Sequence, residues 1–122
     1  MINYGKHFID KSDIKAVVSV LKKKALTQGK VTDLFEQKLK KYFGSKYVVA
    51  VSSGTSALNL IANCLKWKKE DIIFCSPITF AAGSNCIVNQ GAKPFFIDID
   101  LNTFNLDFNL IEKALQNKNI RK

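Results

Sequence analysis

The chain has 122 residues, of which 47% are hydrophobic, and a formal net charge of +9. This length allows one ordinary domain with a hydrophobic core, and no window holds the roughly 18 uninterrupted apolar residues of a membrane-spanning helix. The basic residues are lysines scattered along the chain, apart from Arg121. Because bidentate phosphate and base recognition favours clustered arginine, this charge is typical of a solvated surface and argues against a nucleic-acid-binding protein.

Two helices are predicted first along the chain. Apolar residues at helical spacing predict a helix that is capped by Ser12 or Asp13. A second helix starts near Thr32 or Asp33 and stops at Gly44.

Beyond Gly44 the pattern changes to alternating strands and helices. It predicts, in chain order, strand 47–51, helix 56–67, strand 72–75, helix 79–90, strand 94–97 and a last helix capped by Asp107. This alternation argues for βαβ units in a parallel sheet, and therefore for an α/β fold. The three strands predict a sheet that is buried on both faces, yet only about three helices accompany them. We therefore expect the chain to be a domain cut short.

The N-terminus and the cysteines both indicate a reducing compartment. Met1–Lys6 lacks the apolar core of a signal peptide, so we expect a cytoplasmic location. Cys64, Cys75 and Cys86 form no CxxC pair, and His7 is the single histidine of the sequence. This pattern argues against a metal site and a disulfide scaffold, and it predicts buried free thiols.

The turn Ser52–Leu58, directly after strand 47–51, is the candidate ligand site. Backbone N–H groups, hydroxyls and the positive end of a helix dipole at such a turn suit a phosphate. The alternative is a plain helix cap made by Thr55 or Ser56. Phe80 follows the second strand, at the same carboxyl edge of the sheet, where an aromatic ring can stack on a flat cofactor. Its alternative is packing in the core.

Ten short motifs together resemble one known family in order and spacing. They are Tyr4-Gly5-Lys6, Asp13-Ile14, Leu26-Thr27-Gln28-Gly29, Phe35-Glu36, Phe43-Gly44, Tyr47-Val48-Val49-Ala50-Val51, Ser53-Gly54-Thr55-Ser56-Ala57-Leu58, Pro77-Ile78-Thr79-Phe80, Gly91-Ala92 and Phe96-Ile97-Asp98-Ile99-Asp100. The chain resembles the N-terminal third of the DegT/DnrJ/EryC1/StrS aminotransferases. These are pyridoxal 5'-phosphate (PLP) enzymes of fold type I, the aspartate aminotransferase class, and they aminate keto-sugar nucleotides. Thr79-Phe80, Asn85-Cys86 and Gly91-Ala92 most resemble the pseudaminic-acid branch, in which glutamate donates an amine to C4 of a UDP-linked 4-keto-6-deoxy sugar.

The resemblance also implies roles for individual residues. Gly54, Thr55 and Ser56 would hold the PLP phosphate, and Phe80 would stack on the pyridine ring. The sugar nucleotide would be contacted by Tyr4, Lys24, Ala25, Leu26, Thr27, Gln28 and Gly29. Residues 1–30 would form an N-terminal helix and substrate loop, and residues 31–122 the incomplete N-terminal part of the PLP-binding large domain. The full enzymes are homodimers.

The lysine that links PLP and the acid that faces its pyridine nitrogen lie beyond position 122 in this family. Asp98 and Asp100 come too early for that acid and are interpreted as strand-end and turn residues. The resemblance therefore assigns no catalytic residue, and we expect the chain itself to be inactive. Two other hypotheses stay open. One is a stand-alone α/β module that binds a phosphate or nucleotide, and the other is a relative that uses pyridoxamine 5'-phosphate (PMP) for sugar dehydration.

Overall fold

The computed structural model describes residues 5–22, 26–27, 29–117 and 120. The chain divides into two compact units, Met1–Ala50 and Val51–Lys122. The first contains helices α1 (Lys11–Leu21) and α2 (Lys30–Phe43). The second contains α3 (Gly54–Leu65), β1 (Ile72–Cys75), α4 (Ala82–Asn89), β2 (Lys93–Phe96) and α5 (Phe108–Leu115). No helix in these described stretches is long and apolar enough to cross a membrane.

Helix α1 begins at a cap that the sequence analysis placed wrongly. The Asp10 carboxylate accepts from the backbone N–H groups of Ser12 at 2.7 Å and Asp13 at 3.1 Å. The Asp13 carboxylate in turn accepts from the Asp10 N–H at 3.0 Å, which completes a capping box. Asp10 therefore serves the free N–H groups that we had assigned to Ser12 or Asp13.

Helix α2 begins earlier than expected and ends where expected. Its first residue is Lys30 and its N-cap is Gly29, ahead of the predicted start at Thr32 or Asp33. Gly44 ends it in the left-handed conformation, with φ of 64°. This conformation favours glycine, which explains why the predicted stop is confirmed.

The predicted first strand, residues 47–51, is not a strand. It pairs with no other segment in the described part of the chain, whose sheet consists of β1 and β2. Instead, the Ala50 N–H donates to Glu36 Oε1 of α2 at 2.7 Å. The run Tyr47–Val51 has strand propensity, but a strand also needs a neighbour to satisfy its backbone groups.

The second unit is a parallel βαβ arrangement, as predicted. Ile72 lies opposite Lys93 and Cys75 opposite Phe96 in register. Helix α4 connects the two strands and packs on both of them. The residues of β1 are half-buried, whereas a sheet buried on both faces had been expected.

The core of this unit lies between α3 and α4. It is formed by Ala62, Cys86, Ile87 and Ala92, all at most 5% exposed. Small side chains at such a contact let helices approach closely, so a substitution here is felt as overpacking.

The expectation of buried thiols holds for one cysteine. Cys86 is buried and Cys75 is half-buried, but Cys64 is exposed. Cys64 is two residues from the fully buried Ala62, and two residues turn a helix by roughly 200°. The Cys64 thiol therefore lies on the opposite face of α3.

Glu36→Ala should destabilise the first unit by about 1.5–3 kcal/mol, because it removes a charged acceptor and leaves the Ala50 N–H without its partner. Faster amide hydrogen exchange at Ala50 and a lower midpoint of urea unfolding would report this. Gln37→Ala, an exposed neighbour on α2, is the control and should leave both unchanged. Equal exchange at Ala50 in wild type and Glu36→Ala would contradict the bond.

The Asp10 cap should make α1 sensitive to acid. The Ser12 hydroxyl, followed by the Asp13 and Ser12 N–H groups, lowers the pKa of Asp10 below its ordinary 3.8. A lowered folded-state pKa stabilises the helix above pH 3.8, and this is lost as the pH falls through the lower value. Circular dichroism between neutral pH and pH about 2 should show α1 loss that is shallower in Asp10→Asn, whose amide does not titrate in this range.

Candidate cofactor site

Helix α3 starts with a serine cap. The Ser53 side chain accepts from the Ser56 N–H at 3.1 Å, and the Ser53 carbonyl accepts from the Ala57 N–H at 3.1 Å. Ser53 is thus the N-cap, and the alternative in which Thr55 or Ser56 caps the helix is wrong. The Thr55 hydroxyl is not used in capping and is exposed.

Two N–H groups of the first turn are left over. Those of Gly54 and Thr55 have no hydrogen-bond partner among the described residues, as expected for the first positions of a helix. The first turn carries no acidic residue. Free N–H groups at the positive end of the α3 dipole, without a competing carboxylate, form an environment that favours an anion.

Gly54 is not required by its protein surroundings. A Cβ atom added there would meet no atom within 4 Å, and the φ angle lies outside the left-handed range. Glycine is also used where a ligand approaches the backbone closely. The open space at Gly54 fits that use.

Three serine hydroxyls surround the start of α3. Ser56 Oγ lies 3.0 Å from Ser53 Oγ and 3.2 Å from Ser52 Oγ, and either atom of each pair can be the donor. Ser52 and Ser53 belong to the turn that was predicted as the ligand site, but the resemblance gave a role in phosphate binding to Ser56 and not to them. The signal was present, because both precede Gly54 in the run of small residues.

Phe80 lies outside the helices and strands of the second unit. It lies between β1 and α4, and its side chain is 79% exposed, so the alternative of core packing does not hold. Helix α4 begins at Ala82, three residues later than expected, which leaves Phe80 outside the helix. The short connection instead contains a turn in which the Ile78 N–H donates to Ser76 Oγ at 3.1 Å.

The predicted substrate residues belong to the first unit. Leu26 and Thr27 are exposed, and Gly29 is the N-cap of α2. Tyr4, Lys24, Ala25 and Gln28 lie outside the described residues. Their assignment to the sugar nucleotide stays a prediction.

The Asp100 side chain is hydrogen-bonded to the backbone of the turn that follows it. Its carboxylate accepts from the N–H groups of Thr103 at 2.8 Å and Asn102 at 2.9 Å, and these bonds lower its pKa. The Asp98 carboxylate accepts from the N–H group of Ile99 at 2.8 Å and comes shortly after the end of β2. Asp98 therefore lies near a strand end and Asp100 at a turn, as the sequence indicated. No group of three or more potential metal ligands occurs in the described part of the chain.

Comparison with known proteins identifies the family. Residues 7–120 match the DegT/DnrJ/EryC1/StrS aminotransferase family. The chain belongs to this family.

The chain is similar to three members of this group in sequence or structure. It is 44% identical to a UDP-4-amino-4,6-dideoxy-N-acetyl-β-L-altrosamine transaminase of Campylobacter jejuni, over 94% of this chain and 30% of that protein. It superimposes with a TM-score of 0.81 on an aminotransferase of Helicobacter pylori involved in pseudaminic acid biosynthesis, at 38% identity over 91% of this chain and 30% of that one. It superimposes with a TM-score of 0.85 on an Escherichia coli GDP-4-keto-6-deoxy-D-mannose-3-dehydratase with bound hydrated PLP, at 34% identity over 93% and 31% of the two chains.

These likenesses confirm the predicted fold class. The α/β architecture is that of the N-terminal part of the fold type I large domain, and the chain spans about 30% of the length of the C. jejuni transaminase. PLP is the cofactor held in a solved structure of this group. The free N–H groups of Gly54 and Thr55, the hydroxyls beside them and an exposed aromatic ring fit its phosphate and its flat ring.

Ser53→Ala should destabilise α3 by about 0.5–2 kcal/mol, because it removes the side-chain cap of the Ser56 N–H. Ser53→Asp, which also caps well, should preserve the midpoint of thermal unfolding. Ser84→Ala serves as the comparison, since its hydroxyl donates to the Ala81 carbonyl and caps no N–H group. Equal stability of Ser53→Ala and wild type would contradict the cap.

Proposed function

We propose that the chain is the N-terminal part of a PLP-dependent aminotransferase that transfers an amino group from glutamate to a 4-keto-6-deoxy sugar nucleotide. The observation that carries the proposal is the start of α3, where two N–H groups have no partner among the described residues, several hydroxyls lie nearby, and the first turn holds no acidic residue. The 44% identity to the C. jejuni altrosamine transaminase supports this substrate class and the assignment to pseudaminic acid or related surface-glycan synthesis.

The cofactor would be held at both ends by this chain. Gly54 and Thr55 donate their N–H groups to the phosphate, and the Thr55 and Ser56 hydroxyls complete the set. Phe80 covers one face of the pyridine ring and excludes water from it. PLP, when bound, supplies the carbonyl carbon that takes the amine from the donor and returns it to the keto sugar. The residues of this chain bind and orient it.

The proposed substrate is a sugar nucleotide. Tyr4 and the loop residues Lys24–Gly29 are proposed to contact the sugar nucleotide, whose diphosphate is attracted by the net positive charge of +9. The proposed assembly is a homodimer in the cytoplasm. The division into residues 1–30 and 31–122, a substrate segment and a cofactor segment, is part of the same proposal.

A second candidate is dehydration of a keto-sugar nucleotide. It is supported by the 34% identity and the TM-score of 0.85 to the E. coli 3-dehydratase. The same α3 turn would hold the cofactor phosphate in that case. Amine transfer is preferred because the identity to the altrosamine transaminase is higher.

Thr55→Val and Phe80→Leu should weaken cofactor binding in different ways. Thr55→Val removes a phosphate donor, so it should lower the affinity for PLP about tenfold and leave that for pyridoxal, which has no phosphate, unchanged. Phe80→Leu removes the stacked ring, so it should weaken both by about three- to tenfold. Absorbance titrations measure both affinities.

Thr32→Val, on exposed α2 surface, is the matched control for loss of a threonine hydroxyl. Unchanged PLP affinity in Thr55→Val would remove Thr55 from the site. Equal loss for PLP and pyridoxal would indicate a general structural effect and not phosphate recognition.

The reaction itself should be tested on the full-length product of the gene. Incubated with amine-labelled glutamate and a UDP-linked 4-keto-6-deoxy-N-acetylhexosamine, it should pass the label to the sugar nucleotide, as mass spectrometry would detect. Loss of water from the sugar without label transfer would establish the dehydratase instead. If the PLP-bound protein catalyses neither amine transfer nor dehydration, both candidates are refuted.

A further inference from the structure

A hydrogen-bonded pair of asparagines joins helix α3 to helix α4. The Asn89 side-chain nitrogen donates to Asn59 Oδ1 at 3.1 Å. Asn89 is the last residue of α4, and Asn59 lies in the first half of α3. The bond therefore connects the two helices through asparagines that are 30 residues apart along the chain.

The pair continues into the candidate cofactor site. The Asn59 side-chain nitrogen donates to the backbone carbonyl of Thr55 at 3.0 Å. Thr55 is the residue whose N–H and hydroxyl are proposed to hold the cofactor phosphate. A continuous chain of hydrogen bonds thus runs from the end of α4 through Asn59 to the first turn of α3.

The Thr55 carbonyl, at one end of this row of hydrogen bonds, fixes which group donates in each bond. A carbonyl oxygen can only accept, so Asn59 must turn its NH₂ group toward Thr55. Its Oδ1 atom then faces α4 and can only accept. Asn89 must therefore present its own NH₂ group, and a change at position 89 is transmitted to Thr55 by the orientation of the Asn59 amide.

The packing between α3 and α4 shows what the hydrogen bond between the asparagines adds. The contact between α3 and α4 is made by small and medium side chains, with Ala62 at 0% exposed and Cys86 at 4%. Apolar contacts hold the helices together without a preferred direction, whereas a hydrogen bond also constrains the orientation of the two groups that it joins.

We propose that Asn59 and Asn89 are positioning residues for the cofactor, which hold the phosphate-binding turn at the start of α3 in place against α4. Phe80 lies just ahead of α4, so the same link sets the turn relative to the ring that stacks on the cofactor. This inference rests on the proposed function of Gly54, Thr55 and Phe80. It adds two residues that would not touch the cofactor.

Asn89→Asp is the informative substitution. It replaces the donor by a carboxylate, which cannot donate to Asn59 Oδ1, so the bond between the helices is lost and the Asn59 amide is no longer held from the α4 side. Asn89→Ala deletes the donor without adding charge and serves as a second variant if the aspartate prevents folding. Asn109→Asp is the matched control, because it places the same charge on the exposed surface of α5, outside the contact between α3 and α4.

The first measurement needs no ligand. Backbone amide resonances of Gly54, Thr55 and Ser56 in the isotopically labelled chain should shift in Asn89→Asp and Asn89→Ala, and should stay in place in Asn109→Asp. Asn89→Gln, which keeps an NH₂ donor, should shift them less than Asn89→Ala. Unmoved resonances in both Asn89→Asp and Asn89→Ala would overturn the link.

The second measurement is cofactor affinity. Loss of one such bond should weaken PLP binding about threefold to tenfold in Asn89→Asp while pyridoxal binding stays unchanged, since only the phosphate contacts the turn. Equal weakening for both would indicate that α4 is merely loosened, and would overturn the positioning role. If wild type does not prefer PLP to pyridoxal, the cofactor assignment fails first, and the positioning role fails with it whatever the resonances show.

Discussion

The Ser53 cap is the interaction on which the candidate site depends. By accepting from the Ser56 N–H at 3.1 Å, the Ser53 side chain fixes where α3 starts, and the N–H groups of Gly54 and Thr55 have no partner within the described part of the chain. A helix that started one residue earlier or later would present other donors. Because this cap uses a serine in place of an acid, it satisfies the helix without placing negative charge where an anion would bind.

Much of this arrangement could be predicted from the sequence. The two parallel strands were predicted at 72–75 and 94–97, and the second is shifted by one residue, to 93–96. These strands, the Asp107 cap and the Gly44 stop follow from local chemistry: apolar runs, a capping carboxylate and a residue free to adopt positive φ. The family could be predicted as well, because its motifs are short local runs such as Ser53–Leu58. All of these depend on residues that are close together in the chain.

The features that could not be predicted depend on partners far away in sequence. The segment Tyr47–Val51 has the composition of a strand, but it bonds to Glu36 and pairs with no described strand. The Asn59–Asn89 bond likewise joins two unremarkable polar residues, and no local pattern distinguishes Asn89 from exposed asparagines elsewhere. The prediction of the α1 cap was wrong for a different reason. Asp10, Ser12 and Asp13 are all good capping residues, and only the geometry selects among them.

The two-stranded sheet has a consequence for how this chain behaves at high concentration. Within the described residues β1 and β2 each pair with one neighbour, so each has one edge with unused backbone donors and acceptors. Backbone groups carry no sequence information, and an open edge therefore accepts any extended segment of suitable length. During refolding, intermolecular strand pairing would compete with correct assembly in proportion to protein concentration. Dilution would then raise the yield of native protein.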